Sequence, residues 1–464
     1  MGRFIMKNDF LKKYQSVYFI GIGGISMSGL AEILKSKGFN VSGTDMKESA
    51  ETEHLRRIGI TVNIGHRAEN ITDDIQLVIY TAAIKQDNPE LIAAKHKNIP
   101  AIDRAHLLGM IMEDYAYSVA VAGTHGKTTT TGMVSDILLF AETNPTITVG
   151  GILPTIHSNT NIGGEDYFVA EACEYFDSFL QFHPLVGVIL NIEADHLDYF
   201  KNLENIRASF HKFAQNISSE GTLILNNSIP KLEEITSNIA CRYETVGLEG
   251  NANWKAQNIT HEPDGKNSFD VTYNGNCLGR VHLNIPGDHN ITNALSAFAV
   301  CYTLSLPTKC IIKGLEQFHG TERRFQKKGE KNGVIVIDDY AHHPTEIKAT
   351  LSAAKKIHHN TTYCVFQPHT YSRTKALFDS FTTAFTDADV IIIADIYAAR
   401  EKDTGIVHSK QLAEEIAHHS QNAIYCGNFE QITNYLKEHC QSGDLLLTVG
   451  AGDVYRIGEA FLNE

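Results

Sequence analysis

Short runs of aliphatic and β-branched residues recur along this chain, and several of them end in a turn and continue into a helical pattern. Residues 17–20 run into Gly21-Ile-Gly-Gly24 and a helix predicted over 27–37. Residues 119–122 run into 123–126 and a helix predicted from 127 to about 140. Further strands are predicted at 40–43, 77–80, 167–172, 186–191, 334–338, 363–366, 390–394 and 445–449. This alternation predicts α/β architecture with parallel sheets.

The chain has 464 residues, a length typical of two to four domains. The restart of strand–turn–helix units places boundaries near residues 116 and 320. We therefore predict three domains, at 1–116, 117–320 and 321–464. Residues 249–282, with Gly, Asn and alternating Val and Tyr, predict an antiparallel excursion within the second domain.

Charge and cysteine spacing exclude several classes of protein. The 40 basic and 54 acidic residues leave a net charge of −14, which argues against binding to a nucleic-acid backbone. The eight cysteines contain no C-x-x-C pair, so a zinc site or a disulfide framework is not expected. The apolar runs have the length of strands, which predicts a cytoplasmic protein with no membrane span.

The first glycine-rich turn is a candidate phosphate site. Gly21, Gly23 and Gly24 let the backbone approach an anion at the start of the next helix, and Asp45 follows near the end of the second predicted strand. An acid at that place commonly accepts from ribose hydroxyls. The dinucleotide fingerprint has a third glycine where Ser26 stands, so a tight structural turn or a nicotinamide dehydrogenase stays open as an alternative.

The second turn carries a lysine. Its members Gly123, Thr124, His125, Gly126, Lys127, Thr128 and Thr129 form a shortened version of the G-x-x-x-x-G-K-[ST] phosphate loop. Lys127 offers a charge for β- and γ-phosphates and Thr128 a hydroxyl for Mg²⁺. The alternative is a lysine at a helix start by chance. Two phosphate loops predict two nucleotides, one that is consumed and one that forms part of the substrate. A nucleotide-gated switch, which would use the lysine loop alone, is the alternative.

The lysine loop resembles that of the Mur ligases, which form amide bonds in bacterial cell-wall precursors at the expense of ATP. Further matching blocks are 171–174, 191–198, 286–293, 321–325 and 338–346. The resemblance implies an N-terminal Rossmann-like domain, a central P-loop ATPase domain with a mostly parallel sheet, and a C-terminal Rossmann-like domain. It also implies ATP and Mg²⁺ as cofactors.

Within that family the blocks are most similar to the branch that joins L-alanine to UDP-N-acetylmuramate through an acyl phosphate. The alternative within the family is a ligase that attaches a preformed murein tripeptide to the same sugar nucleotide. Both interpretations imply small-molecule substrates, with neither a nucleic acid nor a membrane as partner.

The resemblance also implies individual roles. Metal ligands are Thr128, Glu171 and His196. Glu174, Asp195 and Asp198 rank lower, as ligands, as residues that orient the ligands, or as acids at helix starts. ATP contacts beyond the loop are Asn290, Asn293, Arg324 and Asp339. The UDP-sugar site takes Gly21, Gly23, Gly24, Asp45, His66, Ala83 and Arg104, with 81–84 and 88–90 along the sugar nucleotide. The catalytic set is Lys127, His196, Arg324, His343 and Arg373.

Several of these residues have a plainer alternative. His196, Asn290 and Asn293 are also suited to capping or hydrogen bonding at helix ends. His343 precedes Pro344 and is suited to a plain N-cap, while Arg323 is expected to be a surface charge. Relatives often carry Arg where Thr370 stands, so the prediction for the α-carboxylate of the amino acid rests on Arg373, with His342 and His369 nearby.

Overall fold

The computed structural model describes residues 8–81, 83–262, 265–399, 401–403, 405–420 and 422–463. They form two compact units. The first runs to Ile192 and adds Arg207–Val246 and Ser296–Gly314. The second takes Glu193–Ile206, Gly247–Leu295 and the chain from Leu315 onward.

The first sheet of the first unit is parallel, in the order β3-β2-β1-β4-β5. Its strands are β1 (Ser16–Ile20), β2 (Asn40–Asp45), β3 (Thr61–Ile64), β4 (Leu77–Tyr80) and β5 (Ala101–Asp103). Its helices are α1 (Ile25–Ser36), α2 (Ala50–Arg57), α3 (Pro89–His96) and α4 (Arg104–Met112). Side chains of Ser49, Asn88 and Asp103 cap α2, α3 and α4. The strand order reverses at β1, so the turn after β1 lies where such folds bind ligands.

The second sheet of the first unit runs β12-β11-β10-β6-β9-β7-β8, parallel except for the β7–β8 pair. Its strands are β6 (Tyr117–Ala122), β7 (Thr146–Leu153), β8 (Ser158–Asn161), β9 (Tyr167–Glu171), β10 (Val186–Ile189), β11 (Thr222–Asn226) and β12 (Arg242–Gly247). The helices along this stretch of chain are α5 (Lys127–Phe140), α6 (Leu197–Phe200), α7 (Leu203–Gln215) and α8 (Leu232–Thr236). Because β6 lies between β9 and β10 and is almost wholly buried, its carboxyl end fixes the lysine loop firmly.

The second unit contains an antiparallel group, β13 (Trp254–His261), β14 (Lys266–Tyr273) and β15 (Asn276–Pro286). This confirms the antiparallel excursion predicted at 249–282. The chain continues through α9 (His289–Thr303) and α10 (Thr308–Gln317).

The last sheet of the second unit runs β16-β17-β21-β18-β19-β20 and is parallel apart from β16. Its strands are β16 (Gln326–Lys331), β17 (Val334–Asp339), β18 (Thr362–Phe366), β19 (Val390–Ile393), β20 (Ala423–Tyr425) and β21 (Leu445–Val449). The helices are α11 (Pro344–Lys355), α12 (Tyr371–Ala376), α13 (Phe378–Thr382), α14 (Ser409–Ser420), α15 (Phe429–His439) and α16 (Tyr455–Asn463). Buried clusters pack on both faces of this sheet.

The predicted fold class is confirmed: the protein is α/β with mostly parallel sheets. The strands predicted at 77–80 and 445–449 agree with β4 and β21 at both ends. No helix of the described ranges combines the length and the apolar character needed to span a lipid bilayer.

Candidate functional site

The lysine loop joins β6 to α5 and is held by backbone geometry and by one asparagine. Gly123 and Gly126 have φ angles of 142° and 83°, which favour glycine. Asn191, shortly after β10, accepts from the backbone N–H of Thr124 at 3.1 Å and of His125 at 2.7 Å. Its own amide donates back to the carbonyl of His125 at 3.0 Å. The loop is therefore ordered by contacts that need no nucleotide.

Lys127 is the first residue of α5, and its ammonium is already paired. Nζ lies 2.9 Å from Oε2 of Glu174 and also donates to the carbonyls of Gly123 and Thr124. Burial alone would lower the pKa of Lys127, but the carboxylates of Glu174 and Glu171 raise that pKa above its ordinary value. The ammonium therefore keeps its charge in a largely enclosed place, with 13% of the side chain exposed.

Thr128 and Glu171 meet, as the metal prediction requires. The Thr128 hydroxyl donates to Oε2 of Glu171 at 2.9 Å, and the backbone N–H of Gly150 donates to the same oxygen at 2.8 Å. Glu171 ends β9 beside β6, which brings the two oxygens to one sheet edge. Hydroxyl and carboxylate oxygens are the donors that Mg²⁺ prefers, so this pair fits that ion.

The glycine loop after β1 is tied to β2. The N–H groups of Gly21 and Ile22 both donate to the carbonyl of Thr44 at 2.8 Å. Gly23 donates its N–H to Oδ2 of Asp45 at 2.9 Å, and Met46 donates to Oδ1 at 2.7 Å. Gly24 then caps α1. Asp45 thus lies at the loop, where an acid for ribose hydroxyls was predicted.

A cavity connects α1 with the metal pair inside the first unit. Its lining residues come from the start of α1, from α4, from β7 and β8, and from the end of β9. They are Ser26, Leu30, Arg104, Leu108, Thr148, Val149, Gly150, Asn159, Thr160, Glu171 and Cys173. Arg104, predicted as a phosphate partner, is the first residue of α4 and half-buried. The cavity therefore offers a cation and the carboxylate of Glu171 to one ligand.

His66 and Ala83 follow strands of the first sheet but do not line this cavity. Nδ1 of His66 lies 3.0 Å from Oε2 of Glu90 and 3.1 Å from the Thr44 hydroxyl. Ala83 lies in the turn after β4 and is exposed. Glu90, predicted to lie along the sugar nucleotide, is instead fully buried.

In the second unit, Arg373 and the predicted metal ligand His196 both contact the carboxylate of Asp195. Nε of Arg373 lies 3.3 Å from Oδ1 of Asp195, which also accepts from the backbone N–H of His196 at 2.7 Å. His369 lies 3.2 Å from Nη1 of Arg373. Burial would raise the pKa of Asp195, but the charges of His196 and Arg373 hold it well below its usual range.

His343 is the N-cap of α11, so the plain capping role that the sequence left open is part of what this residue does. Its Nδ1 accepts from the N–H of Thr345 at 3.3 Å, and Nε2 lies 3.4 Å from the carbonyl of Ala194. Thr345 donates its hydroxyl to Glu193 at 2.7 Å. Through these contacts α11 holds the stretch that leads to His196.

The predicted ATP-binding residues of the second unit are buried or half-buried and contact other residues of that unit. Asn290 donates to the carbonyl of Pro286 at 2.6 Å and accepts from Asn293 at 3.0 Å. Asp339 accepts from the N–H groups of Phe325 and Ala341, and burial raises its pKa to about 6. Arg324 packs over the ring of Tyr340 at 5.2 Å.

The expectation that Arg323 is a surface charge is wrong. Its Nε lies 3.0 Å from Oδ2 of the buried Asp338, and Nη2 donates to the carbonyl of Gly450 at 2.8 Å. The guanidinium also packs over Tyr340 and Tyr455. Arg323 therefore ties the start of β16 to the carboxyl edge of the last sheet.

Comparison with known proteins decides the family. Residues 16–116 match the catalytic domain of the Mur ligase family, 121–301 the Mur ligase middle domain, and 323–452 the glutamate ligase domain. The UDP-N-acetylmuramate–L-alanine ligase of Clostridium acetobutylicum is 52% identical over 461 residues, covering 99% of this chain and 100% of that protein.

The chain belongs to the Mur ligase family.

Solved structures of Mur ligases have the same fold. The UDP-N-acetylmuramate–alanine ligase of Thermotoga maritima has a TM-score of 0.80 at 29% identity, covering 96% of this chain and 98% of that one. A murein peptide ligase from Psychrobacter arcticus has a TM-score of 0.70 at 24% identity, covering 97% and 98%. This family membership replaces the dehydrogenase and nucleotide-switch alternatives left open by the two loops.

Three residues organise the site of this Mur ligase through partners that the sequence does not identify: Asn191 has no predicted role, and Glu174 and Asp195 are predicted only as lower-ranked ligands or orienting residues. Asn191 clamps the lysine loop, Glu174 pairs with Lys127, and Asp195 pairs with Arg373. All three lie within the motif blocks 171–174 and 191–198. Their position in a block could have marked them as important, but only the folded chain identifies their partners.

Proposed function

We propose that this Mur ligase joins L-alanine to the lactyl carboxylate of UDP-N-acetylmuramate, in the synthesis of peptidoglycan precursors. The observation that carries the proposal is 52% identity, over nearly the whole of both chains, to a ligase of that name. ATP donates its γ-phosphoryl group to the carboxylate, which gives an acyl phosphate and ADP. The amine of L-alanine then attacks the acyl carbon, so that the amide forms and inorganic phosphate leaves. The cytoplasm, which supplies ATP, is the proposed location.

ATP is assigned to the lysine loop, from Gly123 to Thr129. The loop offers backbone N–H groups at the start of α5 and the charged ammonium of Lys127, and both stabilise phosphate oxygens. Asn290, Asn293, Arg324 and Asp339 complete the proposed ATP contacts. A phosphate bound there competes with Glu174 for the Lys127 ammonium.

Mg²⁺ is assigned to Thr128 and Glu171, with His196 as a further proposed ligand. The short contact between the two oxygens supports the first two residues. Bound Mg²⁺ would neutralise phosphate charge during transfer. Histidine is an unusual ligand for Mg²⁺, so the assignment of His196 depends on the family pattern alone.

The sugar nucleotide is assigned to the first sheet and to the cavity beside it. Gly21, Gly23, Gly24 and Asp45 surround the turn after β1, with His66 and Ala83 at neighbouring strand ends and Arg104 in the cavity. Because the cavity also reaches Glu171, a lactyl carboxylate bound there would lie beside the proposed metal. We propose the domain boundaries 1–116, 117–320 and 321–464 on the support of the three matched ranges.

L-alanine is assigned to Arg373, whose guanidinium has N–H groups to spare beyond the one directed at Asp195. His343, at the N-terminus of α11, is the proposed second contact on the amino-acid side. A carboxylate that reaches Arg373 binds close to Asp195, and that acid is suited to the α-ammonium group.

The test is phosphate release from ATP with UDP-N-acetylmuramate present, scanned across L-amino acids and the murein tripeptide. We expect turnover to depend on L-alanine, and Arg373→Lys to raise the KM for alanine more than it changes kcat. Lys375→Arg, on the same helix, is the matched control. No alanine-dependent turnover, or faster turnover with the tripeptide, would contradict the proposal.

A further inference from the structure

Glu90 is a fully buried carboxylate in the first unit, and the sequence predicts for it only a place in the stretch 88–90 along the sugar nucleotide. It is the second residue of α3, after the capping Asn88 and Pro89. A buried carboxylate is retained at a large cost in desolvation unless hydrogen bonds satisfy it. Its partners therefore indicate what it does.

Donors surround both oxygens of Glu90. Oε1 accepts from the Tyr18 hydroxyl at 3.0 Å and from the Asn70 amide at 2.7 Å. Oε2 accepts from the Thr44 hydroxyl at 2.8 Å and lies 3.0 Å from Nδ1 of His66. A carboxylate oxygen accepts, so the hydrogen of the contact between Oε2 and Nδ1 is placed on Nδ1 of His66. In the neutral ring, Nε2 is then an acceptor.

The same network reaches the glycine loop. His66 follows β3 and Gly65, whose N–H donates to the carbonyl of Asp45 at 2.8 Å. Thr44, which contacts both Glu90 and His66, accepts from the N–H groups of Gly21 and Ile22. The His66 side chain is 10% exposed, so only a small part of the ring is accessible to a ligand.

We propose that Glu90 is a positioning residue that fixes the tautomer of His66, so that Nε2 accepts from N3–H of uracil. The inference rests on the proposed function, which places a uridine nucleotide at this sheet edge. Uracil carries a hydrogen on N3, whereas N3 of cytosine is itself an acceptor. A histidine held in this tautomer therefore binds uridine nucleotides and rejects cytidine nucleotides.

Glu90→Gln tests the proposal because the new amide has one favourable orientation. At the Oε1 position its NH₂ group would face the N–H groups of Asn70 and Arg67, which cannot accept, and of the three neighbours there only the Tyr18 hydroxyl can. At the Oε2 position it faces the Thr44 hydroxyl and Nδ1 of His66, and both can accept. The variant therefore shifts His66 to the tautomer with hydrogen on Nε2, directed at N3–H of uracil.

The measurement is calorimetric binding of UDP and CDP to the full chain. We expect the wild type to prefer UDP, and Glu90→Gln to reduce that preference by about tenfold or more. Tyr18→Phe is the matched control, since it removes a donor from Oε1 and leaves His66 in place. We expect the control to keep the UDP-to-CDP ratio even where stability falls.

A second measurement needs no folded variant of Glu90. Nitrogen-15 chemical shifts of the wild-type histidine rings, with His66 assigned by its loss in His66→Gln, report which ring nitrogen carries hydrogen. We expect hydrogen on Nδ1 alone.

Hydrogen on Nε2, or an unchanged or increased UDP-to-CDP ratio in Glu90→Gln, would overturn the inference. A wild type that binds neither UDP nor UDP-N-acetylmuramate would overturn the proposed function as well. That outcome is distinct from a wild type that binds both but has the other tautomer.

Discussion

The glycine loop and the lysine loop are built alike and equipped differently. Each follows a buried parallel strand, opens a helix, and contains a glycine with a φ angle of 83°, at Gly21 and Gly126. The lysine loop adds an ammonium and draws in the carboxylates of Glu171 and Glu174. The glycine loop has no charged side chain of its own and takes one acid, Asp45, from the next strand.

On the proposed assignment, the glycine loop binds a nucleotide that is not consumed and the lysine loop binds the ATP that is. Backbone N–H groups at a helix start are enough to bind a phosphate that does not react. Transfer of a phosphoryl group requires charge stabilisation that grows in the transition state, which side chains and a metal supply. In this proposal the same strand–turn–helix unit serves two purposes, and its side chains distinguish them.

The strongest test of that contrast is Lys127→Ala. We expect a loss of turnover of about 10³-fold or more, because the phosphate charge in the transition state loses its cation. Binding of UDP-N-acetylmuramate should stay within about twofold, as measured by calorimetry. Lys212→Ala, an exposed lysine on α7, is the control and should retain activity. Equal losses of turnover and of sugar-nucleotide binding would contradict the division of labour.

The helix after the lysine loop carries a buried acid, Asp136. Its Oδ2 accepts from Thr155 at 3.0 Å, Oδ1 has no partner among the described residues, and burial raises its pKa to about 6. The folded state therefore binds the proton more tightly than the unfolded state, and stability should fall as pH rises from about 4 to about 6. The helix after the glycine loop buries no carboxylate among its described residues.

Asp136→Asn should remove this dependence. We expect the variant to be more stable than the wild type by about 1–3 kcal/mol at pH 7.5 and similar to it near pH 4. Urea unfolding at the two pH values provides the measurement, with the wild type at low pH as the internal reference. A stability difference that does not change with pH would refute this account of α5.

Asp45→Asn examines the glycine loop. We expect the KM for UDP-N-acetylmuramate to rise by about tenfold, because a charged acceptor for the nucleotide is lost, with kcat within about twofold. Asp74→Asn, an exposed acid in the turn before β4, is the control. If kcat falls and KM does not rise, the glycine loop contributes to catalysis as well as to binding.

The smallest effect concerns backbone strain in the two loops. Gly126→Ala places a side chain at a φ angle of 83° and should cost about 1–2 kcal/mol of stability. Gly24→Ala, with φ −66° and its nearest atom an ordinary contact at 3.5 Å, should cost less than about 0.5 kcal/mol. Thermal unfolding compares them, and equal costs would show that φ does not distinguish the two glycines.

The parts of the fold that depend on local pattern could be predicted from the sequence. Buried parallel strands are short apolar runs, and a glycine turn before a helix marks where each run ends, so β4, β21 and the start of α5 were placed correctly. The pairing of Thr128 with Glu171 follows from two strand ends that share one edge.

Partners distant in sequence could not be predicted in this way. Glu90 follows an N-cap and a proline, which indicate a helix start but do not show that its carboxylate is buried against Tyr18 and His66. Arg323 and Arg324 are adjacent and chemically identical, and both pack on Tyr340, yet Arg323 pairs with buried Asp338 and Arg324 lies 3.9 Å from Glu346. Such differences depend on packing between elements, which a local pattern does not encode.

The resting contact between Lys127 and Glu174 has a consequence for ligand choice. An incoming anion has to compete with a carboxylate that is already bound to the ammonium. A small anion such as sulfate gains little from that exchange, whereas a triphosphate contacts the ammonium and several backbone N–H groups at once. The lysine loop therefore carries an internal competitor that favours the longer, more highly charged ligand.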